Sequence, residues 1–356
     1  MSAAPELPGR PALHRDLLDF VARPDPTRFD ALASRVVRFQ AATVEAYGRL
    51  CRARHDGPLT HWRDAPRVPT ELFRDLDLSN LAPDEPEAAC FRTSGTTGPG
   101  RRGARRVRDL GLYHAGMVEP FVSHVLAGER QRRPWLCLVP DPRDAPGSSL
   151  GHMVAGLATD LAAPASLLWA LGPEGLDVAA AWLWLEARTA EASPAVVLGT
   201  SFAIVSLLDA EPARRVRLPA GSRLMLTGGF KGRSRTLDED ALSALVTERL
   251  GLDAEAIVPE YGMTELTSQA YGRPLEAPPW LRLEVVDPLS LAPLPPGERG
   301  LVACFDLLAL DNVSALLTGD LGTLDAAGRL TLHGRAPGAV LRGCSLTAEE
   351  LGVLTR

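Results

Sequence analysis

The chain has 356 residues, of which 46% are apolar and 23% are charged, a composition typical of globular proteins with a sizeable core. No apolar run approaches the roughly 18 residues of a membrane span, and the N-terminus lacks a signal-peptide core. We therefore expect a cytoplasmic protein without a membrane partner. The net charge of −6 disfavours nucleic acid as a partner, and the absence of CxxC pairs disfavours a structural metal site.

The hydrophobic pattern predicts elements in chain order. Apolar spacing of three and four residues predicts a helix over 28–50, and the proline-rich stretch 66–87 indicates connecting structure. Buried-strand runs then alternate with helical patterns over 110–127, 174–191 and 238–250, which predicts an α/β protein with largely parallel sheets. After residue 280, short strands and Gly/Pro turns predict an antiparallel or barrel-like unit. The strand runs are 135–139, 195–198, 223–226, 257–258, 283–286 and 301–305.

A loop rich in hydroxyls and glycines is the strongest local signal. Its backbone N–H groups and hydroxyls suit an anion such as phosphate, and five arginines between 101 and 108 add positive charge. The pattern lacks the lysine of a Walker A loop. By itself it is equally consistent with a flexible surface loop, and the arginines with a solvated face. The residues are Thr93, Ser94, Gly95, Thr96, Thr97 and Gly98.

Lys231 is the one lysine in the chain, where 37 of the 38 basic residues are arginine. This bias is consistent with chance. It is equally consistent with a site where a compact ammonium is required and a planar guanidinium does not serve.

Three further motifs follow the TSGTTG loop in order: YGMTE at 261–265, TGD at 318–320, and a hinge-like region from Gly334. With TSGTTG they resemble the AMP-forming adenylate synthetases, the superfamily of acyl-CoA synthetases, peptide-synthetase adenylation domains and firefly luciferase. The segments LTGGFKGRSR, EYGMTEL and LRGCSL resemble one branch in particular, the acyl-protein synthetases of bacterial luminescence operons (LuxE type). The resemblance covers the chain from about residue 66 onward.

This resemblance implies the adenylate-forming fold, with parallel or mixed sheets flanked by helices. It implies an adenylation domain over 1–333, helical over about 1–85 and β-rich over about 280–333. A hinge and a vestigial C-terminal segment would occupy 334–356. The lysine that larger relatives carry in their C-terminal domain has no counterpart after Lys231, so Lys231 is the candidate replacement.

The resemblance also implies the cofactors ATP and Mg²⁺ and a role for each motif residue. The loop from Thr93 to Gly98 would surround the β- and γ-phosphates, Thr264 would contact the α-phosphate, and Glu265 would bind Mg²⁺, a cation that prefers oxygen ligands. Asp320 would bind the ribose and Arg335 the ribose or a phosphate. Tyr261 would stack on the adenine, Gly228 and Gly229 would let the backbone approach its edge, and Gly262 is a further candidate for ATP or AMP binding.

The acid pocket is expected among small apolar residues around 150–156, 198–205 and 228–264. Gly199 and Met263 are candidate pocket residues. His152 is either a polar pocket residue or a satisfied interior histidine, with the second slightly favoured.

The predicted activity is activation of a carboxylic acid, fatty or otherwise, as acyl-AMP with release of pyrophosphate. The acyl group would then pass to a thiol, for which Cys344, two residues after Arg342, is the candidate, and on to a partner such as an acyl reductase. One alternative keeps the adenylation and changes the acceptor to coenzyme A, a carrier-protein thiol or an amine. A second alternative is an inactive nucleotide-binding scaffold.

Overall fold

The computed structural model describes residues 9–93, 102–228 and 238–336. These residues form two compact units. The first unit contains residues 9–116, 264–268 and 276–336, and the second contains 117–263 and 269–275. The short segment 264–268 thus belongs to the first unit although the residues on both sides of it belong to the second.

Several helices begin at a polar residue that accepts a hydrogen bond from a backbone N–H in the first turn, as good N-caps do. Ser148, Asp177, Thr200 and Asp238 each do so with the residue three positions later. The helices are α1 (Arg10–Ala22), α2 (Phe29–Thr43), α3 (Glu45–Arg54), α4 (Gly111–His124), α5 (Ser149–Leu161), α6 (Val178–Ala190), α7 (Ser201–Ala210) and α8 (Glu239–Leu250).

The strands fall into three sheets. They are β1 (Val68–Pro69), β2 (Ala89–Arg92), β3 (Ala104–Val107), β4 (Arg133–Pro140), β5 (Ala162–Gly172), β6 (Gly175–Leu176), β7 (Val196–Thr200), β8 (Arg223–Thr227), β9 (Ile257–Tyr261), β10 (Ala270–Tyr271), β11 (Leu281–Val286), β12 (Gly300–Asp306), β13 (Ala315–Leu324) and β14 (Leu330–Arg335).

The second unit is built on a sheet with strand order β10-β9-β8-β7-β4-β5-β6. Its five inner strands are parallel, and β10 and β6 pair antiparallel at the edges. Strands β4, β7 and β8 are buried nearly throughout, as in parallel sheets covered by helices on both faces. Residues of α6, α7 and α8, among them Trp182, Ile204 and Val246, complete this core.

The direction of the chain through this sheet reverses beside β4. Helix α5 leads from β4 to β5 on one side, and α6 then leads to β7 on the other side of β4. In open α/β sheets, ligands bind at the carboxyl ends of strands next to such a reversal. The topology therefore directs attention to the carboxyl ends of β4, β7 and β8.

The first unit contains a sheet of order β1-β13-β12-β11, with β14 added beside β13. Its neighbours are antiparallel except β1 and β13. Helix α2 is fixed to this unit by the buried Gln40, whose amide donates to Ala309 O and Ser314 Oγ at 2.9 Å and accepts from Ser314 N. Strands β2 and β3 form a separate two-stranded ribbon.

The predicted elements agree with these bounds at most positions. The predicted helices 110–127, 174–191 and 238–250 correspond to α4, α6 and α8, and the antiparallel strands expected after residue 280 are β11 to β14. The predicted helix 28–50 is two helices, because Val44 adopts extended φ and ψ between α2 and α3. The α/β fold class is confirmed. Among the described residues, no helix is long and apolar enough to cross a membrane.

Candidate functional site

The base of the TSGTTG loop is fixed by the β2–β3 ribbon. Thr93 follows β2, and its N–H donates to Gly103 O at 2.9 Å, while the Gly103 N–H donates to Thr93 Oγ1 at 2.9 Å. The Thr93 hydroxyl therefore serves the closure of the loop base. Residues 94–101 lie outside the described residues, so the predicted roles of Ser94, Gly95, Thr96, Thr97 and Gly98 remain predictions.

The arginines after the loop are used within the protein rather than as a solvated face. Arg106 contacts Glu87 and the carbonyls of Ala82 and Glu85, and Arg108 pairs with Glu85. Arg105 is 4% exposed. Among the arginines of this run that the structure describes, Arg102 is the exposed one.

The backbone that carries Thr264 and Glu265 is bound to Arg105. The guanidinium donates to Leu266 O at 2.9 Å, to Thr264 O at 3.5 Å and to the Thr267 hydroxyl. Burial lowers the pKa of Arg105, and nearby acidic groups, including Asp306 and Glu265, oppose that decrease. The buried carboxylate of Glu265 and the guanidinium are thus close enough to interact electrostatically.

The carboxylate of a second residue, Asp306, binds backbone N–H groups of the same 264–268 segment. Asp306, at the end of β12, accepts from Thr267 N at 2.8 Å, Ser268 N at 2.9 Å and Ser268 Oγ at 2.8 Å. Burial raises the pKa of Asp306, and the hydrogen bond from Ser268 and the charge of Arg105 oppose the rise. We call these two residues the Arg105–Asp306 clamp. It explains why 264–268 belongs to the first unit.

The predicted ribose residue and the predicted hinge arginine lie together. Asp320 on β13 and Arg335 on β14 are register partners, and Arg335 Nε lies 3.4 Å from Asp320 Oδ1. Glu71 Oε1 lies 3.7 Å from Arg335 Nη2. Gly319 permits this arrangement, because a Cβ there would lie 2.7 Å from the Arg335 guanidinium. Thr318 Oγ1 accepts from Asp320 N at 3.1 Å, which fixes the TGD turn.

In the second unit, predicted residues gather at the carboxyl ends of β7 and β8. Gly199 on β7 packs closely on Leu138 and Ile204, and a Cβ there would lie 3.1 Å from Leu138 Cβ and 3.2 Å from Ile204 Cδ1. The next residues turn into α7, where Ser201 Oγ donates to Gly228 O at 2.8 Å. Gly228 has φ of +66°, a conformation that glycine adopts at no steric cost.

Glu260 and Tyr261 end β9 at the same edge. Glu260 is the register partner of Thr227 on β8 and accepts a hydrogen bond from its hydroxyl. Burial raises the pKa of Glu260 to about 7, although the Thr227 hydroxyl acts to lower it. A Cβ at Gly262 would lie 2.3 Å from Glu260 Oε1, so a side chain at this position of the YGMTE motif would displace the Glu260 carboxyl. Tyr261 is buried, with 7% of its surface exposed.

His152 lies in the first turns of α5, after β4. Gly151 brings this turn close to Pro140 O, which places the start of α5 near the carboxyl end of β4. His152 and Met263 are both half-buried. The remaining predicted residues Gly229, Lys231 and Cys344 lie outside the described residues.

Three residues of these clusters were not predicted as site residues. Asp306 and Glu260 are single carboxylates at the ends of buried strands, and Glu260 directly precedes the YGMTE motif, which was the available signal. Arg105 was predicted only as part of a charged run. No local pattern distinguishes Arg105 from Arg106 and Arg108, because all three belong to the same run of arginines.

Comparison with solved structures identifies the fold. The model superimposes on the open conformation of 2-hydroxyisobutyryl-CoA ligase in complex with 2-HIB-AMP and CoA with a TM-score of 0.59, at 18% identity over 85% of this chain and 73% of that one. The chain has the fold of the adenylate-forming ligases. ATP-bound MatB from Rhodopseudomonas palustris shows the same fold with a TM-score of 0.50, at 18% identity over 70% of this chain and 48% of that one.

Among curated proteins, the long-chain-fatty-acid–luciferin-component ligase of Vibrio harveyi is 26% identical over 144 residues. The aligned part is 35% of this chain and 36% of that protein, so it spans about one third of the relative. No family model matches the chain. The resemblance inferred from the motifs is confirmed to this extent: the fold is shared with 2-hydroxyisobutyryl-CoA ligase, and part of the sequence is similar to the Vibrio harveyi protein, which is also named as a ligase.

The raised pKa of Glu260 predicts a pH-dependent stability. Between about pH 4.5 and pH 7 the unfolded chain releases the Glu260 proton while the folded chain retains it, so the free energy of unfolding falls as pH rises. The decrease is about 3 kcal/mol for this shift. Glu260→Gln keeps the shape and removes the titration. In urea unfolding at pH 4.5 and 8, the variant should gain stability relative to wild type by about that amount.

The matched control is Glu255→Gln, an exposed glutamate of the same unit. Its difference from wild type should not change with pH. Parallel pH profiles for wild type and Glu260→Gln would show that Glu260 is ionised in the folded protein.

Proposed function

We propose that the protein activates a carboxylic acid with ATP and Mg²⁺ as an acyl-adenylate and transfers the acyl group to a thiol. The carrying observation is that three motifs assigned by resemblance to the nucleotide lie in one compact unit. The base of the TSGTTG loop, the clamped segment with Thr264 and Glu265, and the Asp320–Arg335 pair all belong to the first unit. The adenylate-forming fold supports the same activity.

In the first step an oxygen of the substrate carboxylate attacks the α-phosphorus of ATP. A carboxylate–phosphorus bond forms, the bond to the bridging oxygen of the β-phosphate breaks, and pyrophosphate leaves with the electron pair. Catalysis of such a step rests on positioning and on stabilisation of negative charge. The Thr264 hydroxyl binds the α-phosphate, and the TSGTTG loop binds the β- and γ-phosphates through hydroxyls and backbone N–H groups.

Glu265 is the residue that would hold Mg²⁺, together with the nucleotide phosphates. A carboxylate is a suitable ligand, because Mg²⁺ is commonly bound by one or two carboxylates plus substrate phosphates. The described residues contain no group of three or more His, Cys, Asp or Glu side chains that could hold a metal ion. A single carboxylate plus phosphates is therefore the proposed ligand set, and the metal charge would offset that of the departing pyrophosphate.

Asp320 accepts hydrogen bonds from the ribose hydroxyls, and Arg335, whose Nε lies 3.4 Å from Asp320 Oδ1, orients that carboxylate. Gly228, Gly229 and Tyr261 contact the adenine, and Gly262 belongs to the same set of ATP-binding residues. His152, Gly199 and Met263 contribute to the acid pocket. The Vibrio harveyi relative is named for a long-chain fatty acid, which makes that class the first acid to test.

For acyl transfer, a thiolate sulfur attacks the acyl carbon of the adenylate, a C–S bond forms, and AMP leaves. The thiols of the described residues are poorly suited to this role, since the thiolate is the reactive species. Burial raises the pKa of Cys51 to about 11 and also raises that of Cys90, Cys137 and Cys304. We therefore assign the acceptor role to Cys344, from which an acyl reductase or another acceptor protein takes the group.

The adenylation proposal predicts acid-dependent exchange between ATP and labelled pyrophosphate that requires Mg²⁺. Glu265→Gln should lose exchange by roughly 100-fold, since it removes the charge that holds the metal and keeps the shape. Far-UV circular dichroism should show that the variant is folded. Glu276→Gln, an exposed glutamate of the same unit, should exchange like wild type. Wild-type exchange by Glu265→Gln would remove Glu265 from the metal role. No exchange with any acid would favour the scaffold alternative.

A second prediction concerns Lys231, which we propose contacts a phosphate as a point charge. Lys231→Arg should then be nearly as inactive in pyrophosphate exchange as Lys231→Ala, because a planar fork does not replace a compact ammonium at close range. Arg223→Lys, in the strand before this segment, is the reverse control and should retain activity. Full activity of Lys231→Arg would mean that the single lysine is a compositional accident.

The acceptor proposal predicts that Cys344→Ala retains pyrophosphate exchange and loses hydroxylamine-sensitive labelling by radioactive acid. Cys90→Ala is the matched control, because Cys90 is the described cysteine that is only half-buried, and its labelling should equal that of wild type. Labelling of Cys344→Ala at full stoichiometry would refute the assignment. Acylation of coenzyme A or an amine in place of the protein would identify the alternative acceptor.

A further inference from the structure

Each nitrogen of the Arg105 guanidinium donates a hydrogen bond to a residue of the first unit. Nε donates to Asn312 Oδ1 at 3.1 Å, Nη1 donates to Leu266 O at 2.9 Å, and Nη2 donates to the Thr267 hydroxyl. The residue is 4% exposed, so these contacts replace nearly all of its hydration. Such a buried guanidinium is costly unless its donors are satisfied, and here the acceptors are mostly those of one loop.

The position of Arg105 in the chain connects the 264–268 segment to the TSGTTG loop. Arg105 is the second residue of β3, and Gly103, just before β3, closes the base of the TSGTTG loop with Thr93. Arg105 is also the register partner of Phe91 on β2. One rigid ribbon therefore ends in the predicted phosphate loop and carries the side chain that binds the segment of Thr264 and Glu265.

The segment is held from both sides by opposite charges. Arg105 binds its carbonyl oxygens, and Asp306 binds the N–H groups of Thr267 and Ser268. Asn312 adds a second connection to β3, because its Nδ2 donates to Arg106 O at 2.9 Å. The result is a set of hydrogen bonds with charged partners, which are stronger and more directional than neutral ones.

We propose that Arg105 is a positioning residue for the adenylation reaction, which fixes the loop of Thr264 and Glu265 relative to the base of the phosphate loop. The inference rests on the proposed function and names a residue that the motifs do not assign. Its physical basis is that in-line phosphoryl chemistry is sensitive to displacements of about 1 Å, so two loops that bind one triphosphate gain from a shared rigid support.

The competing explanation is that Arg105 only stabilises the fold. Arg106, the next residue on β3, allows the two explanations to be separated. It is mostly buried and bonds Glu87 at 2.7 Å, Ala82 O and Glu85 O, all of which lie outside 264–268. Arg106→Met thus removes a comparable set of bonds from the same strand without touching the loop.

The test compares Arg105→Met, Arg105→Lys and Arg106→Met in the full-length protein. Three quantities are measured: kcat and KM for ATP in pyrophosphate exchange, Mn²⁺ affinity in the complex with the α,β-methylene analogue of ATP by electron paramagnetic resonance, and amide hydrogen exchange of the peptide that contains 264–268. The last two do not depend on turnover. Urea unfolding gives the stability of each variant.

If Arg105 positions the loop, Arg105→Met lowers Mn²⁺ affinity and kcat by roughly 10- to 100-fold, the range seen when the support of a metal ligand is removed. Exchange of the 264–268 peptide becomes faster, and Arg105→Lys restores little, because one ammonium cannot bond three acceptors in a plane. Arg106→Met should remain within about threefold of wild type in kcat and Mn²⁺ affinity.

Equal kinetic losses in Arg105→Met and Arg106→Met, in proportion to lost stability, would overturn the positioning role, and so would full rescue by Arg105→Lys. If Arg105→Met does not fold, Thr267→Val replaces it, since it removes one acceptor and keeps the arginine. That variant should change Mn²⁺ affinity and exchange in the same direction, and no change refutes the inference.

The failure of the proposed function has a different signature. Wild-type protein that binds the nucleotide analogue and Mn²⁺ but exchanges no pyrophosphate would refute adenylation while the Mn²⁺ and hydrogen-exchange comparisons still decide the role of Arg105. Wild-type protein that binds neither would refute both proposals.

Discussion

Two buried residues of the first unit, Arg105 and Asp306, determine the conformation of the 264–268 segment between them. Arg105 donates to carbonyl oxygens of the segment and Asp306 accepts from its N–H groups, so an apolar residue in place of either one leaves buried backbone groups without a partner. Leaving one such buried polar group unsatisfied typically costs about 1–3 kcal/mol, a substantial part of the stability of an ordinary domain. The clamp therefore confers structural specificity on a loop that regular secondary structure does not support.

In the second unit, the main constraint is that the central sheet is buried. Its parallel sheet is buried on both faces, so polar groups for a ligand are available mainly where strands end and helices begin. Ser201, Thr227 and Glu260 provide them at one edge, and their bonds to Gly228 O and to one another fix the turns that follow β7, β8 and β9. Gly199 and Gly262 are closely packed at this edge, so their neighbours Leu138, Ile204 and Glu260 restrict what a side chain at either position could do.

Much of the fold was predictable from local pattern, and the reason is physical. Buried strands such as β4 and β7 are continuous apolar runs, and α2 has an apolar stripe, so both leave a short-range record. The break at Val44 has no such local signal in the sequence, because the apolar stripe of α2 continues into α3 with Tyr47. The motif residues of the candidate site were recognised by resemblance, but the clamp was not. Asp306 and its partners lie 38 and 39 residues apart, and Arg105 lies 162 residues from Thr267, distances at which no periodicity operates.

The burial of the thiols has a consequence for oxidative damage. Peroxide attacks the thiolate, and the reaction proceeds from sulfenic to sulfinic and sulfonic acid in proportion to thiolate character and access. Cys137 and Cys304, inside the β4 and β12 strands, are protected by both criteria, so mild oxidants spare the cores of the two sheets. Among the described cysteines, Cys90 has the greatest access and would be oxidised first, at a strand that leads directly into the base of the TSGTTG loop. An early oxidative lesion would thus alter the support of that loop before it altered global stability.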